Sequence, residues 1–134
     1  MKQILRVIYD VWREAKPIVR REVSKCHAKM PRLKIAHVVL NGDAEVAGVC
    51  DAEMNMIIVS AGVLEKVASE FKLSERSLKC LILGLIMHEI KHYVDIVCEG
   101  MDYMTHKDLM EKRAKEYEVE WREKCFEGSL YKYK

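Results

Sequence analysis

Residues that interrupt regular structure are scarce in this chain, which has only two prolines and six glycines among its 134 residues. It also lacks internal repeats and low-complexity tracts. Hydrophobic residues make up 50% and charged residues 33% of the chain, and this composition excludes a disordered or collagen-like protein. The length suits one domain with a proper core, so we expect residues 1–134 to form a single domain.

Long hydrophobic segments are missing as well. The longest apolar run, residues 80–87, is far too short to cross a bilayer, so we expect no contact with a membrane. Arg6 and Asp10 interrupt the N-terminal region, which is therefore unlike a secretory signal. The five cysteines are an odd number without a Cys-x-x-Cys pair, which indicates reduced, mostly buried thiols. We expect a soluble cytoplasmic protein.

A strong excess of charge of either sign is also absent, because the formal net charge is only +2. The total therefore identifies no partner. Basic residues are nevertheless concentrated between positions 16 and 34, where a solvated surface is favoured over contact with nucleic acid. These residues are Lys16, Arg20, Arg21, Lys25, Lys29, Arg32 and Lys34.

The chemistry of the chain is concentrated in a His-Glu-x-x-His segment at residues 88–92. Positions four apart on an α-helix lie on the same face, so His88 and His92 can bind one metal ion. Glu89 lies beside them and can accept a proton from a metal-bound water without being a ligand. Ser74 and the following apolar residues predict a helix from about residue 75 to residue 98, and Asp95 could support the His92 ring.

A zinc site of this kind needs a third protein ligand. A turn after Gly100 can reverse the chain, and a second helix is predicted to begin near Lys107, capped by Thr105 or Asp108. Glu111 on that helix is the favoured third ligand, because Ala114 on the same face would let the two helices pack closely. His106 and Glu118 are the alternatives.

With Glu-x-x-Ala at residues 111–114 following His-Glu-x-x-His, the chain resembles the gluzincin zinc metallopeptidases. Residues 47–50 and 56–64 add to the resemblance, because they are similar to the strand and helix that precede the active-site helix in minigluzincins. The similar region spans about residues 45–121. The resemblance implies a zincin-like fold, zinc as the cofactor with His88, His92 and Glu111 as ligands, and Glu89 as general base for hydrolysis of a peptide or protein substrate.

The chain departs from the family pattern at two points. Family members often have Asp after the Ala, to support a histidine, whereas this chain has Lys115. No motif identifies the residue that stabilises the oxyanion, for which Tyr103, His106 and Tyr117 are candidates.

The remaining segments predict an α+β fold. An amphipathic helix over residues 2–25 should be kinked or divided at Pro17, and strands are expected at residues 33–40, 45–50 and 54–60. They suggest a small twisted sheet, mainly antiparallel, packed on the active-site helix. We expect residues 54–60 to be the edge strand beside the cleft, and residues 62–71 to form a helix. The aromatic tail at residues 126–134 could inhibit the site, although a flexible tail is favoured.

Two other functions are compatible with the same motifs. One is a zinc-binding module without proteolytic activity, either latent or regulatory. The other is a DNA-associated metalloprotease of the SprT-like kind, which would use His106 as third ligand together with the basic stretch.

Overall fold

A computed structural model describes residues 2–128 and shows an α+β fold of four helices, a three-stranded sheet and a small hairpin. In chain order the elements are α1 (Lys2–Ser24), β1 (Arg32–Ala36), β2 (Leu40–Asn41), β3 (Ala44–Glu45), β4 (Gly48–Asp51), β5 (Met56–Ser60), α2 (Ala61–Glu70), α3 (Glu75–Val97) and α4 (Tyr103–Phe126). The tail expected to be flexible or inhibitory lies mostly outside the described residues.

Helix α1 packs its apolar stripe into the core. Trp12 is buried, and Ile8 and Val19 are completely buried in the main hydrophobic cluster. Of the two outcomes expected at Pro17, a division of the helix is excluded, because α1 continues to Ser24. Proline removes one backbone donor, but the buried residues on both sides of it hold the helix against the core.

The sheet is mixed, with strand order β1-β5-β4. Strands β4 and β5 are antiparallel, as expected, whereas β1 pairs with β5 in parallel. Strand β5 therefore occupies the centre, and the expectation that residues 54–60 form the edge beside the cleft is wrong. The edge strand there is β4. Ile57 and Val59 of β5 are fully buried, which suits a central strand.

Helix α3 carries the His-Glu-x-x-His segment through the middle of the molecule. The Ser74 side chain accepts a hydrogen bond from the Ser77 backbone N–H and caps the helix, as predicted. Helix α4 packs beside it but begins at Tyr103, with Asp102 as N-cap, earlier than the predicted start near Lys107. His106 has non-helical backbone angles (φ −120°, ψ 26°), so the first turn joins the rest of α4 across a kink.

Four of the five cysteines form disulfides, so the expectation of reduced thiols is wrong for them. Cys26 after α1 is bonded to Cys98 at the end of α3, and Cys80 in α3 is bonded to Cys125 in α4. Spacing along the chain could not reveal these pairs, because their partners lie 72 and 45 residues apart. Cys50 is the free cysteine.

Within residues 2–128, no helix combines the length and the apolar character that a membrane span requires.

Candidate metal centre

The two histidines of the motif project from the same face of α3, as their spacing predicts. Their ring centroids lie 4.9 Å apart, with the planes nearly perpendicular. His92 is buried and His88 is partly exposed. Apolar residues of α3 anchor this helix in the core, so the backbone that carries both rings is held in place.

Glu111 reaches the two rings from helix α4. Its Oε1 lies 2.5 Å from Nε2 of His92 and 3.6 Å from Nε2 of His88. One ligand atom from each of the three residues falls within 4.8 Å of the others. His106 is not part of this cluster: it is exposed, and its Nδ1 lies 3.2 Å from the Asp102 carbonyl oxygen. The structure thus places Glu111, the favoured third ligand, beside the two histidines and leaves His106 outside this cluster.

A close approach of α3 and α4 places Glu111 there. A Cβ added to Gly84 would lie 3.2 Å from Cγ and 3.3 Å from the carbonyl oxygen of Glu118, so only glycine fits this contact without a shift. Ala114, one turn after Glu111, is completely buried in the same interface. Small residues on both helices therefore bring the α4 carboxylates within reach of the histidines.

Glu118 supports His88 from behind, a role that the sequence reasoning missed. Its Oε1 lies 2.9 Å from Nδ1 of His88, which leaves Nε2 pointing to Glu111. The hydrogen bond to His88, aided by Lys115 and Arg122, lowers the pKa of Glu118 to about 2 against the opposing effect of burial. The sequence does contain a sign of this role: Glu118 lies seven residues after Glu111, two helical turns along the same face of the helix. Glu118 thus supports a histidine despite Lys115 at the family's Asp position.

Asp95 does not support His92 in the way we expected. It is completely buried, and its Oδ1 lies 3.0 Å from Arg113 and 3.6 Å from Lys91. The buried Nδ1 of His92 has no hydrogen-bond partner within residues 2–128. Asp95 therefore joins α3 to α4 through Arg113 and contributes only its charge to the His92 environment.

The two imidazoles differ in basicity. Burial lowers the pKa of His92, although the nearby Glu111 opposes this shift. Burial also opposes the charged form of His88, but the hydrogen bond to Glu118 and the surrounding carboxylates outweigh it and raise the pKa of His88. His88 is therefore the ring for which protons compete more strongly.

Glu89 faces the cluster from a buried position and is only 5% exposed. Burial, reinforced by the charges of Glu111 and Glu118, raises its pKa to about 7 even though His88 opposes the shift. A Cβ on Gly48 of β4 would lie 3.6 Å from Cγ of Glu89, so the edge strand passes close above this carboxyl group. A carboxyl group with this pKa can take up and release a proton near neutral pH.

An open hollow of about 370 Å³ gives access to these groups. We call it the site cleft: His88, His92 and Glu111 form one wall, and β4 forms the other. Tyr103 also lines it, with its ring edge-on to His92 at a centroid distance of 5.7 Å. Tyr117 instead packs against Trp121.

The donor set can hold a metal ion. Two ligand atoms about 2.1 Å from a tetrahedral ion lie roughly 3.4 Å apart, so the 3.6 Å between His88 and Glu111 already suits a shared ion. The 2.5 Å between His92 and Glu111 would have to widen by roughly 1 Å. Comparisons with family models, curated proteins and solved structures found no match. The chemistry of this centre therefore has to be inferred from its own residues.

Proposed function

We propose that this chain is a zinc-dependent metallopeptidase with a zincin-like fold of the gluzincin type. The convergence of His88, His92 and Glu111 in an open cleft, with Glu89 buried beside them, carries this proposal. Two imidazoles and one carboxylate form a donor set typical of catalytic zinc, which keeps a further coordination position open. Zinc held there would supply Lewis acidity, which activates water and polarises a carbonyl group.

Glu89 would act as the general base. Its carboxylate takes the proton of the attacking water and then delivers that proton to the leaving amine. Because Glu89 points from α3 toward the cleft while the two imidazoles bind metal, it contributes no ligand and stays available for the proton.

The edge strand β4 would bind an extended peptide. It pairs only with β5 in the three-stranded sheet, so its other edge offers main-chain donors and acceptors along the site cleft. Tyr103 is the best placed of the three candidates to donate a hydrogen bond to the developing oxyanion, because it lines the cleft and His106 and Tyr117 do not. This arrangement favours a peptide or protein as the substrate.

The two other functions receive less support. A DNA-associated protease with a third histidine would need His106 at the metal, whereas that ring lies exposed outside the cluster. A zinc-binding module without activity would need no general base, and the buried Glu89 beside the cleft favours the enzyme.

The proposal is tested by metal analysis and peptide hydrolysis of the purified protein. We expect one zinc per chain and cleavage of a mixed peptide library, both lost on exhaustive chelation. Glu89→Gln should bind zinc like the wild type and lose all detectable cleavage, whereas Glu111→Ala should lose zinc. Tyr103→Phe should keep zinc and lose about 10²-fold in kcat.

His106→Gln is the matched control, because it removes a nearby imidazole that lies outside the cluster. Unchanged cleavage in Glu89→Gln would reject the assigned base. Bound zinc without cleavage of any peptide would instead support the inactive zinc-binding module.

A further inference from the structure

The site cleft continues into a second hollow, of about 470 Å³, which we call the side hollow. The two share the wall residues Val49, Cys50, Ile96 and Tyr103. Because β4 runs along both, a peptide paired with this strand would pass from one to the other. The side hollow is therefore placed to receive a substrate side chain.

The side hollow is lined by both apolar and acidic side chains. Leu40, Ile96 and Met101 supply apolar surface, and Leu40 is 61% exposed. Asp51, Glu53 and Asp102 supply three carboxylates, and no lysine or arginine lines either hollow within the described residues. Apolar surface together with carboxylates fits a side chain with a long aliphatic stem and a cationic end.

These carboxylates have no counter-ion of their own. In the part of the chain that the structure describes, none of the three forms an ion pair with a lysine or arginine. Asp51 and Asp102 accept backbone hydrogen bonds from Met54 and Met104, and Asp102 also accepts one from the Thr105 hydroxyl, so both carboxylates are held in place. A cationic side chain of a substrate would meet carboxylates that no lysine or arginine of residues 2–128 already pairs with.

The distance along β4 sets the place of that cation in the substrate. Gly48 borders the site cleft beside Glu89, whereas Asp51 borders the side hollow, three residues further along the strand. At about 3.3 Å per residue this separation is roughly 10 Å. An extended peptide covers it with two to three residues.

We propose that the side hollow binds a lysine or arginine two to three residues from the bond to be cut, so that the substrates are basic peptides. This specificity rests on the proposed peptidase function. The aliphatic stem of that side chain lies against the apolar lining residues, and its charged end meets the three carboxylates. Arginine can contact two carboxylate oxygens at once and should bind at least as well as lysine.

The test uses a set of peptides that carry a single lysine at one of the three positions on either side of the cleaved bond. Each is compared with a peptide that has norleucine at the same position. Norleucine supplies the aliphatic stem without the charge. We expect one position at which lysine raises kcat/KM roughly tenfold, because several exposed ion contacts of modest strength act together. Higher salt should reduce this preference.

The triple variant Asp51→Asn, Glu53→Gln and Asp102→Asn removes the charges while keeping the backbone hydrogen bonds that Asn can accept. It should cleave the lysine and norleucine peptides with equal kcat/KM, because the charges that favour lysine are gone. Asp108→Asn, a nearby exposed acid that lines neither hollow, is the control and should keep the preference. Equal cleavage of lysine and norleucine peptides by the wild type, or a preference that survives in the triple variant, would overturn the inference.

Binding to zinc-loaded Glu89→Gln separates this inference from the proposed function. We expect the lysine peptide to bind roughly tenfold more tightly than the norleucine peptide, and the difference to vanish when the three acids are also neutralised. If the wild type cleaves nothing but this binding preference is found, peptidase function fails and the basic-peptide site stands. If cleavage occurs without any preference in binding or rate, the peptidase function stands and the inference fails.

Discussion

At the scale of single residues, Glu118 orients one of the two histidines of the candidate metal centre. It holds Nδ1 of His88 at 2.9 Å and is itself held by Arg122 and, at 3.5 Å, by Lys115. This chain of contacts fixes the ring orientation and keeps the carboxylate ionised. The position of His88 therefore depends on a residue on another helix, 30 positions later in the chain.

Replacing Glu118 should weaken metal binding without removing a ligand. We expect Glu118→Gln to bind zinc about 10- to 100-fold more weakly, because a neutral amide no longer increases the basicity of His88 as the carboxylate does. A competition titration with a zinc chelator measures the affinity. Glu120→Gln is the control, because Glu120 is exposed on the same helix and its ion-pair partner is Lys124, at 2.8 Å, not a histidine. An unchanged affinity in Glu118→Gln would refute the supporting role.

The same variant should change the pH dependence of binding. In the wild type, the pKa of His88 lies above its ordinary value near 6.5, so protons still compete with zinc for this ring at pH 6.5. The zinc affinity should therefore continue to rise as the pH increases above 6.5. Without the Glu118 carboxylate, the pKa of His88 falls relative to the wild type, so the affinity should level off at a lower pH. Titrations at several pH values measure both curves. Identical curves of zinc affinity against pH for the wild type and the variant would contradict this role of Glu118.

Glu118 also makes the stability of the fold depend on pH in the acid range. Its folded pKa of about 2 lies below its ordinary value near 4.5. The ionised form therefore stabilises the fold above pH 4.5, and this contribution is lost as the pH falls toward 2. Glu118→Gln should lack that part of the acid dependence in the free energy of unfolding.

At the scale of elements, the contact between α3 and α4 brings together the residues of the candidate metal centre. Helix α3 brings the two histidines and Glu89, and helix α4 brings Glu111 and Glu118. Gly84 and the completely buried Ala114 set how closely the helices approach. A change in this spacing moves both α4 carboxylates together, because they lie on one rigid helix.

A series of substitutions at Gly84 tests this dependence. Alanine improves helix propensity by about 1 kcal/mol, but its Cβ would lie 3.3 Å from a backbone oxygen that cannot turn away. We expect zinc affinity to fall progressively from Gly84→Ala to Gly84→Val, while both variants stay folded by circular dichroism. Wild-type zinc affinity in Gly84→Val would show that the helix spacing does not control the centre.

At the scale of the whole molecule, the two disulfides tie α3 to elements on either side of it. One joins its C-terminal end to the segment after α1, and the other joins it to α4 through Cys80 and Cys125. Such bonds persist in oxidising compartments, so they favour a location other than the reducing cytoplasm that the cysteine spacing indicated. The cytoplasmic location therefore stays a prediction, with the disulfides as an argument against it.

Reduction should destabilise the molecule measurably. We expect the double variant Cys80→Ser, Cys125→Ser to lose about 2–5 kcal/mol in the free energy of unfolding, because a long loop is no longer closed in the unfolded chain. Denaturant titration measures the loss, and Cys50→Ser serves as the control. Alkylation before reduction should modify Cys50 alone, and modification of all five cysteines would show that the protein carries no disulfides.

The sequence by itself determined the local features of this protein. Hydrophobic spacing and the Ser74 cap defined α3, and the spacing of four residues placed His88 and His92 on one face. These features depend on interactions within a few residues of each other, which a single chain shows directly. The α+β class follows from the same periodicities.

Only the tertiary structure decided which residues meet across elements. It paired β1 with β5 in parallel and so moved β4 to the edge, joined Glu118 to His88, and left Asp95 to Arg113. It also paired the cysteines that spacing alone suggested were reduced. Each of these contacts joins segments that are distant in the chain, and its free energy depends on how whole helices and strands pack, a quantity that no local pattern encodes.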